Sequence, residues 1–188
     1  VDRVDVLDRV RLTSVLRDIR PATIVNCVGI IKQRAEATDA ALSIEINALL
    51  PHLLTDCAAA WGGRVIHVST DCVFSGRRGG YEEDDPSDAE DLYGRTKFLG
   101  EVTGEHALTL RTSMIGRELT GHASLLDWFL RQRGGAVKGY TRAIYSGVTT
   151  NHLAEVIGGI IERHSSLSGL YQVAGEPISK YDLLRLLR

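Results

Sequence analysis

Two rhythms of apolar and polar residues divide this chain. Val1 to Asp8 alternates Val with Asp and Arg, and Arg9 to Ile19 sets Leu12, Val15, Leu16 and Ile19 at helical spacing, so a strand feeding a helix is predicted. Pro21 stops that helix, and Ala22 to Ile31 (ATIVNCVGII) reads as a buried strand. A long helix is predicted over about Ala37 to Trp61, with a kink or break at Pro51 and an end at Gly62-Gly63. The next strand starts at Arg64, and its run Val65, Ile66, Val68 ends in Ser69-Thr70-Asp71, polar groups delivered at a carboxyl edge. A loop with Gly76, Gly79, Gly80 and the acidic run Glu82 to Asp85 leads to a helix carrying Tyr93 and Lys97.

Farther on, Ala107 to Ile115 (ALTLRTSMI) is a predicted strand and Ser124 to Arg131 a helix. Ala136 to Lys138 and Ala143 to Tyr145 are short strand candidates, and Asn151 to Arg163 is a helix capped by Thr150 or Asn151. Gly169 to Val173 is a strand, and Ser179, with Asp182 three residues on, caps a final amphipathic helix. Strand and helix alternate throughout, which predicts an α/β fold with a doubly wound parallel sheet, Rossmann-like, with right-handed crossovers. The glycine-rich first strand-turn-helix of a dinucleotide fold is lacking: no such turn precedes Asp8, and no later glycine cluster follows a strand and opens a helix.

Composition narrows the function classes. The 188 residues are 44% hydrophobic and 24% charged, ordinary for one globular domain with a real core. A net charge of −2 argues against nucleic acid or an anionic membrane as the main partner, since both call for a basic face. No apolar run approaches the ~20 residues of a membrane span, and the amino terminus shows no signal-peptide core. Cys27, Cys57 and Cys72 are odd in number and widely spaced, which predicts reduced thiols in a cytoplasmic protein. No metal site is expected: Glu82, Glu83, Asp84 and Asp85 read as a solvated loop, and the six histidines show no ligand spacing. His67 is predicted inside its strand, with His52, His106, His122, His152 and His164 at the surface.

The candidate chemistry rests on Tyr93 and Lys97, four residues apart and so stacked on one helical face. A phenol, with an ordinary pKa of about 10, is a poor acid or base at neutral pH; a neighbouring ammonium favours the phenolate and draws the pKa toward the working range. Thr70, at the strand end, is placed to donate to the same carbonyl oxygen. The opposing reading makes Tyr93 an amphipathic surface residue and Lys97 an exposed cation.

STDCVFSG, followed by YEEDDP and YGRTKFLGE, resembles the dTDP-4-dehydrorhamnose reductase branch of the extended short-chain dehydrogenase/reductases, with its STDYVFDG, TEDDP-like and YGxSKxxGE segments. The resemblance implies a Thr-Tyr-Lys group on a Rossmann sheet, here Thr70, Tyr93 and Lys97, reducing the C4 ketone of a deoxysugar nucleotide with NADP(H) or NAD(H). It implies that the chain enters that fold at about the third strand. One domain is expected over 1–188, a cofactor-binding core over about 1–115 and a partial substrate lobe over about 116–188, interleaved with late sheet elements.

Other positions follow from the same resemblance. Asp5-Val6 corresponds to a pair that meets adenine, although a strand-end aspartate also caps helices, a role Asp8 fits better. Asn26, Cys27, Val28 and Gly29 match a segment on which the cofactor lies, with sheet-to-helix packing the other reading for Gly29. Asn47 corresponds to an asparagine supporting a water relay to the lysine, against a buried amide bonding its own backbone. Ser69, Thr112 and Ser113 are further expected cofactor contacts; Thr70, Asp71, Cys72 and Met114 are expected to line the substrate, with an inert buried thiol the other reading for Cys72. Cys72 and Met114 replace a tyrosine and a tryptophan, which implies an altered sugar pocket and a related UDP- or dTDP-4-keto-6-deoxyhexose, N-acetylated forms included. The partner expected is thus a nucleotide sugar, with a homodimer an option. The rivals are a redox-neutral epimerase or dehydratase, which Asp71 keeps open, and a non-catalytic nucleotide-binding regulatory subunit.

Overall fold

The computed structural model describes residues 4–32, 35–119, 124–132 and 134–188. The expected first strand falls partly outside that range, as does His122. Residues 4–8 are a turn, because the Asp5 carboxylate accepts the Leu7 N–H (3.0 Å) and its carbonyl accepts the Asp8 N–H (3.1 Å). Asp8 then caps α1 (Arg9–Ile19) by accepting the Arg11 N–H at 3.0 Å. β1 covers only Thr23–Asn26, shorter than the predicted Ala22–Ile31, because the Asn26 side chain takes the Val28 N–H (3.1 Å) and turns the chain out of the sheet.

The helix predicted over 37–61 is composite. A 3-10 turn at Ala35–Thr38 leads to α2 (Ala40–Ser43), a π-helical turn at Ile44–Leu49, and α3 (Leu50–Ala59). The disturbance expected at Pro51 therefore appears one turn upstream. Pro51 has no N–H to give the carbonyl four residues back, that of Asn47, and the widened turn accommodates its ring while Pro51 itself sits in the first turn of α3.

β2 (Arg64–Val68) is followed by a short 3-10 turn at Asp71–Val73, α4 (Leu92–Leu99) and β3 (Ala107–Thr112). Every residue of β2 and of β3 is buried, as expected of strands covered on both faces. Then come β4 (Met114–Ile115), α5 (Leu125–Arg131), β5 (Ile144–Tyr145), β6 (Val148–Thr149), α6 (Thr150–Arg163), β7 (Gly169–Val173), β8 (Ile178–Ser179) and α7 (Lys180–Leu186). The main sheet has the order β1-β2-β3-β7; β1 pairs parallel with β2 from Thr23↔Arg64 to Asn26↔His67, and β2 parallel with β3 from Val65↔Ala107 to Val68↔Leu110. The Rossmann-like α/β class expected from the alternation is thus present.

The chain forms two compact units, Val1–Arg111 with Ile160–Gln172, and Thr112–Gly159 with Val173–Arg188. In the first, Leu12, Leu50, Leu54, Ala58 and Val65 make a core joined by Val4, Val6, Leu16, Ile24, Leu53 and Trp61. The Arg64 guanidinium donates to the carbonyls of Ile160, His164 and Leu167, so β2 is tied to the carboxyl end of α6. In the second, β4 pairs parallel with β6 and β5 antiparallel with β8. Ser179 caps α7 as predicted, accepting the Asp182 N–H at 3.0 Å. The cap of α6 is Thr149, which accepts the His152 N–H at 3.1 Å, not Thr150 or Asn151, and residues 136–138 are not a strand. Among the described residues no helix is long and apolar enough to cross a membrane.

Candidate active site

The site is built where β2 ends. Ser69 and Thr70 are both buried; the Ser69 hydroxyl donates to Glu101 (2.8 Å), and extended Thr70 caps the following 3-10 turn by accepting the Cys72 N–H (3.1 Å) and donates to the Asp71 carboxylate (3.3 Å). Opposite stands α4, which begins where Asp91 accepts the Gly94 N–H at 2.7 Å. Glycine at 94 is a packing requirement: a Cβ there would lie 2.2 Å from the Cys72 carbonyl oxygen and 2.7 Å from the Ala89 Cβ. That approach brings Tyr93 to the Thr70–Cys72 turn, and the Thr70 hydroxyl faces the phenol closely enough to pull its pKa down.

Thr70's pull does not prevail. Burial pushes the Tyr93 pKa above its ordinary value, the Thr70 contact opposes this, Cys72 and Asp71 add to the rise, and the nearby cation that lowers it is Lys32. The expectation that Lys97 draws the phenol down is therefore corrected. The Lys97 ammonium is aimed at β2, donating to the Val68 carbonyl (2.8 Å) and lying 3.3 Å from His67 Nε2. Lys32 was missed in the sequence; its Nζ lies 5.5 Å from the centre of the Tyr93 ring and 2.7 Å from Asp91. Only its place after β1 hinted at it.

Lys97 is 4% exposed, and burial lowers its pKa to about 8 against the opposing influence of Glu101 and Cys27. His67, fully buried as predicted, bridges Lys97 to Asn26, whose Nδ2 is 3.1 Å from its Nδ1. Burial first, then Lys97 and His52, push the His67 pKa down to about 3. The folded ring thus refuses a proton that the unfolded chain accepts below its ordinary value near 6.5. Its contribution to stability is undiminished above that pH and is lost as pH falls toward 3. We expect the fall in stability over this acid range to be shallower in His67→Gln, by up to about 1.4 kcal/mol per pH unit; denaturant unfolding of both proteins from neutral pH downward checks it, and equal slopes would contradict it.

Asn47 holds the loop after β1 against α4. Its Oδ1 accepts the Ile30 N–H (2.8 Å), and its Nδ2 donates to the Ile30 carbonyl (3.0 Å) and to Thr96 Oγ1 (3.3 Å). The amide is buried, but the backbone it serves is that of Ile30 and not its own, as the second reading had it. Its own carbonyl, left without the Pro51 N–H, meets Gly100: a Cβ on Gly100 would come within 2.0 Å of that oxygen. Gly100→Ala is therefore expected to cost at least about 1–3 kcal/mol, as overpacking against backbone does; a denaturation midpoint equal to wild type would show that the contact yields freely.

Glu101, also missed, is the buried counterion of the site: Arg111 grips it through two bonds of 2.8 Å each, with Nη1 donating to the Glu83 carbonyl (3.1 Å). Glu83 Oε1 in turn accepts the Gln172 N–H (2.8 Å), and Asp85 pairs with Arg78, so these two acidic-run carboxylates bond within the protein.

The expected cofactor residues divide. Gly29 lies beside the amine, where an added Cβ would sit 4.0 Å from Lys97 Nζ and 3.3 Å from Asn47 Oδ1, while Cys27 and Val28 are open to solvent. The carboxyl end of β1 is thus a bare edge, the place in an open parallel sheet where ligands bind. Asp5 is exposed, with Oδ1 accepting the Leu7 N–H, and Val6 is partly buried against the core. Thr112, Ser113 and Met114 belong to the second unit, where the Thr112 hydroxyl donates to the Val173 carbonyl (2.9 Å), the Ser113 carbonyl accepts the Val148 N–H (2.9 Å) and Met114 is half exposed.

Known proteins resemble the chain along nearly all its length. A protein of Streptomyces antibioticus named as a probable dTDP-4,6-dihydroxy-2-methyloxan-3-one 4-ketoreductase is 32% identical over 177 residues, 90% of this chain and 59% of that protein. A crystal structure described as a hypothetical dTDP-4-dehydrorhamnose reductase from Sulfolobus tokodaii superposes with a TM-score of 0.86 at 25% identity, covering 98% of this chain and 67% of that one. That of the dTDP-4-dehydrorhamnose reductase of Bacillus anthracis in complex with NADP superposes with a TM-score of 0.85 at 23% identity, over the same shares, and bears on fold alone. The chain thus spans about three-fifths of that curated relative, and, matching the RmlD substrate binding domain over residues 1–187, it belongs to that family.

Proposed function

We propose that the protein carrying this chain is an NAD(P)H-dependent reductase of a 4-keto-6-deoxy sugar nucleotide. The observation that supports this reading is that the half-buried Tyr93 faces Thr70 at the end of β2, while Lys97, on the same helix, reaches the Val68 carbonyl of that strand. The nicotinamide, when bound, supplies the hydride that turns the C4 carbonyl into an alkoxide. Tyr93 Oη gives its proton to that alkoxide, a far stronger base than a phenolate, and the raised pKa of Tyr93 keeps the phenol protonated at neutral pH. Thr70 Oγ1 holds the same oxygen, and Lys97 Nζ, beside the bare Gly29 edge, binds the nicotinamide ribose. Asp71 and Cys72, on the Thr70 turn, face the sugar.

The test is to offer dTDP- and UDP-4-keto-6-deoxyhexoses, with and without N-acetyl groups, to the intact protein with NADH and with NADPH. One reduced cofactor consumed per sugar is expected; turnover without net cofactor oxidation would move the protein to the epimerase or dehydratase class, and nucleotide binding with no turnover of any keto sugar would make it a regulatory subunit.

A further inference from the structure

The buried chain Asn26–His67–Lys97 poses a question of proton placement. Asn26 Oδ1 accepts the Val28 N–H, so the amide must turn its Nδ2 donor toward His67 Nδ1. Nδ1 then accepts, and the single proton of the neutral ring lies on Nε2, aimed at Lys97 Nζ. An Nε2–H facing an ammonium is two donors in opposition. The contact is satisfied when Lys97 is a neutral amine, accepting from Nε2 while it donates to the Val68 carbonyl. An ammonium instead requires Nε2 to accept, the ring proton to sit on Nδ1, and the Asn26 amide to turn over and release Val28.

We propose that His67 is a positioning residue whose tautomer, set by the Asn26 amide, governs the charge of Lys97, so that charging Lys97 and re-facing the Asn26–Val28 turn are one event. The balance is simple. One proton enters from solvent at Nδ1, the Nε2 proton passes to Nζ, and the ring is neutral before and after. The other groups that face the pair are few: Glu101 and the Cys27 thiol raise the Lys97 pKa, His52 from α3 lies toward His67, and Tyr93 shares the helix of Lys97. Burial of the His67 ring disfavours an imidazolium as the intermediate charge store, and the lowered value of Lys97, about 8, brings the switch near the physiological range.

The inference stands on geometry and needs no turnover; only its consequence for catalysis, how firmly Lys97 holds a ribose, rests on the reading above. The experiment is nitrogen NMR of the histidine rings with carbon NMR of Lys97 Cε, across a pH titration of the intact protein, the signals assigned by their loss in His67→Gln and Lys97→Met. The expected result is that Nε2 carries the proton at high pH, that the two ring nitrogens exchange roles with the same midpoint as Lys97, and that no imidazolium forms. A ring that keeps one tautomer through the Lys97 transition, or becomes cationic within it, overturns the proposal. In Asn26→Leu the tautomer is released from its anchor, and the Lys97 midpoint is expected to rise by about half to one pH unit; an unmoved midpoint in that variant, with its fold intact by amide spectra, also overturns it. Absence of reductase activity would count against the proposed function and leave these resonances as decisive as before.

Discussion

Tyr93→Phe is expected to lower turnover about 100- to 10,000-fold, the range associated with losing a positioned proton donor, while leaving nicotinamide-cofactor affinity nearly intact. The substitution keeps the ring that packs between Lys32 and the Thr70 turn and removes only the hydroxyl. Stopped-flow or steady-state turnover together with cofactor titration separates the two quantities. Equal losses in turnover and cofactor binding would mean that the phenol organises the pocket; unchanged turnover would remove Tyr93 from the chemistry.

The second large effect is on folding. Arg111 and Glu101 are 4% and 5% exposed in their side chains, and each is the other's charge partner, with Ser69 and the Glu83 carbonyl completing the bonds. Arg111→Ala leaves a buried carboxylate hydrogen-bonded, among the described residues, to the Ser69 hydroxyl alone, with Lys97 the cation that still acts on it, and the guanidinium over the Phe74 ring, 5.0 Å from its centre, is lost as well. The expected cost is about 3–5 kcal/mol, measured by denaturant unfolding. Replacing both partners, Arg111→Met with Glu101→Leu, is expected to recover much of it, because a well-packed apolar pair carries no desolvation penalty. A double variant as unstable as the single one would mean that the pair is needed to shape the β2 terminus beyond neutralising its own charge.

The parts of the site that could be read in the sequence are those whose signal is local. The β-branched run ahead of Ser69, the glycine-bearing loop after it and the spacing of Tyr93 and Lys97 each follow from backbone geometry within a few residues, and the strand, turn and helix they predict are present. The misses have a common cause: they depend on what a side chain meets after the chain has folded. Lys97 faces a strand carbonyl and a histidine because α4 lies against β2, and no i,i+4 rule says which neighbour wins. Lys32 and Asp91, far apart in sequence, meet beside the phenol, and Arg111 finds Glu101 across the start of β3. The composite helix was misread for a related reason. Pro51 reports that a hydrogen bond is missing, but not that the freed carbonyl meets Gly100, the residue just after α4.

That widened turn has a consequence for how the chain tolerates length changes. A π turn holds one residue more than the α turn it replaces. Deleting a single residue between Ile44 and Asn47 would let the segment rewind as ordinary α-helix with the residues before and after the cut kept nearly in phase, whereas the same deletion in a regular α-helix turns the two sides about 100° apart. Asn47 would then keep its grip on Ile30 and Thr96 with Asp39 and α2 close to their present places, so a one-residue shortening is better tolerated in this stretch than in a regular α-helix.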